Sequence, residues 1–369
     1  MKRINIALLS LMLLGLLFSC SKASLNYTQN GNWVSRAIFK GVPMGNGACF
    51  TIGDNAYVGT GVNPQDPNNR LKTMYQYTTT PIPSTPTGYD SAYGSWTQVA
   101  DFGGGGRSQA VGFSIAGAGY LGAGTADSRN IPLADFYRYD PAPNTWTAIA
   151  KLGNGTDSFP RFDAVAFSFD TVGYVLTGTD NLYYFGDVWK YSPATNTWTQ
   201  GGDMPGSKRK QAVAWVYKGE GYLLSGFTPG SQWTLGNTCY DFWKFSPNAT
   251  GNQWTRLHDI ANTDPGTFDD SYTNIVRYHG VGFVITGTAT GDKGYITTGT
   301  NGTVNNYTWE YDFATGLWTE KTPYEGAARE GAVGFTIKNR GFVATGISGG
   351  TAYDDCREFF PNQIYNQYD

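Results

Sequence analysis

The sequence predicts an all-β ring of six blades with four antiparallel strands each, and three observations carry that expectation. The first is composition: 369 residues include 49 Gly, 25 Tyr, 21 Phe and 11 Trp, with only 15% charged residues. Gly and ring-bearing residues favour turns and strands over helix interiors. This many rings can bury a large core, which excludes a charged, aromatic-poor disordered chain. The second is self-similarity, three short strand signals that recur in a fixed order. The third is a set of six tryptophans at one place in that order, Trp33, Trp96, Trp146, Trp198, Trp254 and Trp318.

The first strand of a repeat follows an arginine and mixes small with aromatic residues. Arg107-Ser-Gln-Ala-Val-Gly-Phe113, Arg161-Phe-Asp-Ala-Val-Ala-Phe167 and Arg329-Glu-Gly-Ala-Val-Gly-Phe335 are the plainest copies. The second runs from Gly and an aromatic to a closing Gly, as in Gly119-Tyr-Leu-Gly-Ala-Gly124, Gly173-Tyr-Val-Leu-Thr-Gly178, Gly221-Tyr-Leu-Leu-Ser-Gly226 and Gly341-Phe-Val-Ala-Thr-Gly346. The third and fourth flank a turn, as in Asp187-Val-Trp-Lys-Tyr-Ser-Pro193 leading to Trp198. Short alternating or apolar runs between turn residues read as strands. Four strands joined in sequence describe one propeller blade. In the fifth repeat, Arg277-Tyr-His-Gly-Val-Gly-Phe283 is the first strand and Gly294-Tyr-Ile-Thr-Thr-Gly299 the second, leaving a long loop at 255–276.

Trp33 precedes the first complete repeat, whose arginine position holds Met44, and the last repeat, 329–361, lacks a tryptophan. The two ends are complementary. The strand around Trp33 therefore completes the last blade, because a closed ring leaves no strand edge exposed.

Over about 30–361 the pattern resembles the bacterial kelch-repeat family, which includes the propeller of galactose oxidase and the six-bladed sialic-acid mutarotases. The family's Gly-Gly at the end of the second strand is here mostly Thr-Gly or Ser-Gly. The resemblance implies a kelch-type propeller and leaves function open. Galactose oxidase chemistry implies a copper site with Tyr, His and a Cys-crosslinked Tyr. Here His258 and His279 are the only histidines and no Cys stands at a partner position, so that activity is not expected. Asp259, Asp264, Asp269 and Asp270 match no calcium-loop spacing, and neither metal nor cofactor is expected.

Residues 1–19 read as an export leader: Lys2 and Arg3 precede an apolar run over 6–18 that is too short to span a membrane. Leu17-Phe18-Ser19-Cys20 resembles a bacterial lipobox, which implies lipidation at Cys20, a short tether over 20–29 and a propeller over 30–369. The expected place is the bacterial cell envelope, on the outer membrane through the lipid, periplasmic or surface-exposed. Net charge is −3, and removing Lys2 and Arg3 makes it −5, so no nucleic-acid-binding surface is expected. Cys49, Cys239 and Cys356 are odd in number and widely spaced, which is not a disulfide framework.

Alternating strand direction puts the loops before the first strand and after the second on one face, with the long segments 59–72, 226–239 and 255–276. Such loops on a rigid scaffold are where binding usually sits. Arg107, Arg161, Arg209, Arg277 and Arg329 would begin the innermost strands at that face, where they could bind an anionic glycan or protein partner. Because this arginine belongs to the repeat itself, the structural reading stands ahead of that one: Asp135, Asp187, Asp241 and Asp355 begin third strands on the same face and could neutralise the set as struts. Trp233 in the loop 226–239 could stack on a sugar. His279 and Glu330 are the candidates for acid/base work. The favoured expectation is a lipid-anchored binding module for a glycan or protein, with an enzyme of the sialic-acid mutarotase type as the alternative.

Overall fold

The computed structural model describes residues 30–79, 94–230, 233–264 and 266–368; the expected leader, the expected lipidation site Cys20 and the expected tether lie outside them. Among the described residues there is no helix, and six four-stranded antiparallel sheets form the blades. From the axis outwards, blade 1 is Ala48–Ile52, Asn55–Gly59, Met74–Thr78 and Ser95–Val99. The innermost strands of blades 2 to 6 are Val111–Ile115, Val165–Phe169, Val213–Tyr217, Val281–Thr288 and Val333–Ile337. Blade 6 takes its outermost strand from the other end of the chain: Asn30–Ser35 pairs antiparallel with Cys356–Ile364. That is the closure expected from the unmatched Trp33.

Contacts between blades explain the recurring glycine and most of the recurring tryptophans. A Cβ on the second-strand glycines Gly119, Gly173, Gly221 and Gly341 would lie 2.0–2.7 Å from a ring atom of Phe50, Phe113, Phe167 and Phe283 on the preceding blade. The first-strand aromatic therefore needs a residue without a side chain beneath it. At the rim, the Nε1 of Trp33, Trp96, Trp146 and Trp198 donates to the carbonyls of Thr322, Ala37, Ala100 and Ala150, just beyond the outer strand of the preceding blade. Asn144 and Asn196 turn the outer hairpins in the left-handed conformation. Their Oδ1 atoms accept from the backbone N–H of Ala100 and Ala150. Six aromatic clusters wedge between the sheets as the core.

Toward the axis the inner strands converge, and only small residues fit between them. A Cβ on Gly112 would stand 2.4 Å from the Cys49 carbonyl oxygen of the preceding blade. The resulting central lumen holds about 880 Å³. Cys49 lines it, and burial pushes its thiol up to about 12, which keeps it protonated and unreactive.

Candidate functional site

At the long-loop face two closed rings of backbone hydrogen bonds bind the blades together. In the inner ring, the N–H groups of Asn46, Gln109, Asp163, Gln211, His279 and Gly331 each donate to the carbonyl of the preceding member, at 2.8–3.1 Å, and Asn46 closes the circle on Gly331. All six have φ between 55° and 59°, so each strand bends sharply two residues beyond its arginine position. In the outer ring, Gly61, Gly124, Gly178, Gly226, Gly299 and Gly346 donate to the carbonyls of Arg107, Arg161, Arg209, Arg277, Arg329 and Met44 at 2.7–2.9 Å. These glycines and the residues before them, including Thr177, Ser225 and Thr345, all have positive φ. Two left-handed residues in succession suit Gly at the second place and tolerate only a small residue at the first.

That bend frees one carbonyl per blade, and the arginine takes it. Arg107, Arg161, Arg209, Arg277 and Arg329 donate through Nη1 to the carbonyls of Ala123, Thr177, Ser225, Thr298 and Thr345 at 2.8–3.1 Å. Four of them also pair with a carboxylate that opens the third strand: Arg107 with Asp135, Arg161 with Asp187, Arg209 with Asp241 and Arg329 with Asp355. Burial pushes the Asp187 carboxyl up, but bonds from Arg161 and Trp189 outweigh it and leave the group below its ordinary range. Arg277 has backbone carbonyls only, those of Asn274, Ile275, Thr298 and Tyr307, and burial lowers its pKa to about 9. None of the five is more than 1% exposed. The expected basic mouth is therefore corrected. These guanidiniums are fixed inside the blades because the bent strand ends leave acceptors that only a long, forked donor reaches.

The side chains of the inner ring form the polar feature that does reach the axis. Asp163 accepts from Gln109 Nε2 at 3.0 Å and Gln211 Nε2 at 2.8 Å, and its other oxygen lies 3.2 Å from His279 Nε2. Glu330 stands 3.5 Å from the opposite ring nitrogen, Nδ1. Burial alone would keep His279 neutral, but Asp163 and Glu330 raise it to about 9, so it is an imidazolium at neutral pH. Above this hub lies a recess of about 330 Å³ lined by Lys210, Gln211, Phe227, Tyr278, His279 and Glu330. Phe227 and Tyr278 meet edge to face with centroids 5.2 Å apart. Lys210 Nζ sits 5.7 Å from the Phe227 centroid and 3.9 Å from Asp163.

With this geometry in place, the likenesses to known proteins follow. The Kelch motif matches residues 160–205, the segment that supplies Arg161, Asp163 and Asp187. Fold and motif together make this a kelch propeller. The kelch propeller resembles two curated N-acetylneuraminate epimerases. It is 24% identical over 218 residues to that of Yersinia enterocolitica, covering 49% of this chain and 54% of the relative. It is 23% identical over 236 residues to that of Pasteurella multocida, covering 51% and 53%. The chain thus spans about half the length of the curated relatives it matches. The solved structure of YjhT superposes with a TM-score of 0.65 at 16% identity, covering 87% of this kelch propeller and 95% of that chain.

Of the residues singled out from sequence, His279 and Glu330 come together at the recess, while Trp233 does not line it. Trp233 packs the loop down on blade 4, with the Arg256 guanidinium 5.2 Å from its ring centroid and Trp243 at 6.3 Å. In the 255–276 loop, Asp269 accepts the N–H groups of Thr263 and Asp264, and Asp270 that of Gly266. Among the described residues no group of three or more metal-ligating side chains assembles. Asp163, Phe227 and Tyr278 were not singled out from sequence. For Asp163 and Tyr278 the signal was available in the repeat, whose two places after the arginine vary in charge and size from blade to blade while the next place is always Ala or Gly.

Proposed function

We propose that this kelch propeller binds a carbohydrate in the recess at the long-loop end of its axis. The observation that carries the reading is the lining itself: two aromatic rings, Phe227 and Tyr278, beside Lys210, Gln211, His279 and Glu330 in a space of about 330 Å³. Rings cover the C–H faces of a sugar, and fixed donors and acceptors orient its hydroxyls. Titration calorimetry with N-acetylneuraminate, N-acetylglucosamine and galactose tests it. Phe227→Ala should weaken the ligand found about tenfold or more, and a wild-type protein that binds no sugar at about 10 mM would overturn the reading.

A second reading is anomer interconversion, favoured by the similarity to N-acetylneuraminate epimerases and by His279 held between two carboxylates. In it, Glu330 takes the proton of the anomeric hydroxyl as the ring C–O bond breaks, and the imidazolium of His279 gives its proton to the ring oxygen. Reclosure on the other face reverses both transfers. NMR exchange between the anomers of N-acetylneuraminate checks this, and Glu330→Gln exchanging as fast as wild type would end it.

The same proposal places the propeller in the cell envelope, tethered by a lipid on Cys20. Its support is the lipobox-like segment directly after the apolar run at the chain's start. Cys20→Ala should move the protein from membrane to soluble fractions, and unchanged partitioning would refute the anchor.

A further inference from the structure

The place directly after the arginine position carries Lys210 in blade 4, Tyr278 in blade 5 and Glu330 in blade 6. In each blade that residue bridges back to the segment after the second strand: Lys210 to Phe227, Tyr278 to Thr300, Glu330 to Ile347. The three therefore stand side by side around one arc of the mouth, a cation, a ring and an anion in blade order. Both charged groups keep bonding capacity for a ligand. The carboxylate nearest to Lys210, that of Asp163, is 3.9 Å away, and Glu330 meets His279 only at 3.5 Å. Beneath them His279 and Asp163 offset one another. Four of the buried arginines are matched by aspartates within their own blades, and the fifth, Arg277, is enclosed by four backbone carbonyls with no side chain reaching the mouth. Lys210 and His279 together balance Asp163 and Glu330, and the two outer groups give the recess a fixed direction, positive at blade 4 and negative at blade 6. A purely anionic ligand gains at Lys210 and is repelled at Glu330, and a purely cationic one meets the reverse.

Resting on the carbohydrate reading above, we infer that the recess selects a zwitterionic sugar, one bearing both a carboxylate and a free amine. Its carboxylate faces Lys210, its ammonium faces Glu330, and its ring lies over Tyr278. The selection comes from two charge-assisted contacts made only when both groups are present.

Four sugars of one skeleton test this on the full chain by calorimetry: muramic acid, N-acetylmuramic acid, glucosamine and N-acetylglucosamine, which present both charges, the acid alone, the amine alone and neither. Muramic acid should bind about tenfold or more tighter than each of the others. Lys210→Met should remove its advantage over glucosamine, and Glu330→Gln its advantage over N-acetylmuramic acid. Both substitutions keep side-chain length, and thermal melts of the free variants within about 2 °C of wild type confirm that the fold is retained. Equal binding of all four sugars, or a preference that neither substitution changes, would overturn the charge selection and leave carbohydrate binding standing. Binding of none of the four, nor of the three sugars named earlier, would remove both.

Discussion

Arg209 provides the sharpest test of the assignment of the arginine set to structure. Its side chain and that of Asp241 are both fully buried, and Trp243 Nε1 bonds the same carboxylate at 2.6 Å. Arg209 also bonds the Ser207 and Ser225 carbonyls at 2.8 and 3.0 Å. Arg209→Met leaves a buried carboxylate with one neutral donor and leaves two carbonyls without their partner. Breaking a buried pair from one side costs about 3–5 kcal/mol, and each unsatisfied carbonyl adds to that. The expected loss is thus at least about 3 kcal/mol in urea unfolding followed by circular dichroism at pH 7. Arg209→Met with Asp241→Leu should recover part of it, because no charge is then stranded. Arg277→Met should cost less than Arg209→Met, since Arg277 has four carbonyl partners and no carboxylate. An Arg209→Met protein with an unchanged urea midpoint but no ligand binding at the recess would refute the argument and return the arginines to the binding surface.

Two further outcomes follow from the hub and the closure. His279 has a folded-state pKa of about 9 against an ordinary 6.5, so its contribution is complete below about pH 6.5 and is lost as pH rises through about 9. The shift corresponds to an upper bound of about 3 kcal/mol; urea midpoints at pH 6 and 10 should fall more steeply for wild type than for His279→Gln, and parallel profiles would contradict this. Trp33 is fully buried against Phe359, Tyr324 and Phe283, so Trp33→Ala should cost about 3–5 kcal/mol and increase aggregation through the freed edge of Cys356–Ile364, which light scattering and thermal melts would detect. A variant as stable and monodisperse as its parent would show that the closure rests elsewhere.

The architecture was legible in the residues because a propeller repeats its contacts. The rim tryptophan, the glycine beneath a neighbour's aromatic and the arginine at the strand end recur for reasons internal to one blade and its neighbour, and self-similarity exposes them. Even the missing tryptophan of the last repeat could be matched with Trp33 by counting. The same regularity left two readings of the site open. Five arginines at one place suggested a charged mouth, but their recurrence reflects a shared structural task. The candidate site sits where the copies differ, at Asp163, Lys210, Tyr278, His279 and Glu330, and variation is not marked in a repeat in the way identity is.

By itself the sequence determined the number of blades, the order of strands, the closure by the N-terminal strand and the face that carries the longer loops. All of these follow from spacing along the chain. Only the tertiary structure decided which way each polar side chain turns. The left-handed bend two residues beyond the arginine position directs the arginine inward to a freed carbonyl and an aspartate, and brings Asp163 to His279 across 116 positions of sequence. Hydrogen bonds that close a ring depend on six distant segments arriving together. No window of the chain contains them, and the charge pattern of the mouth exists only once the ring is shut.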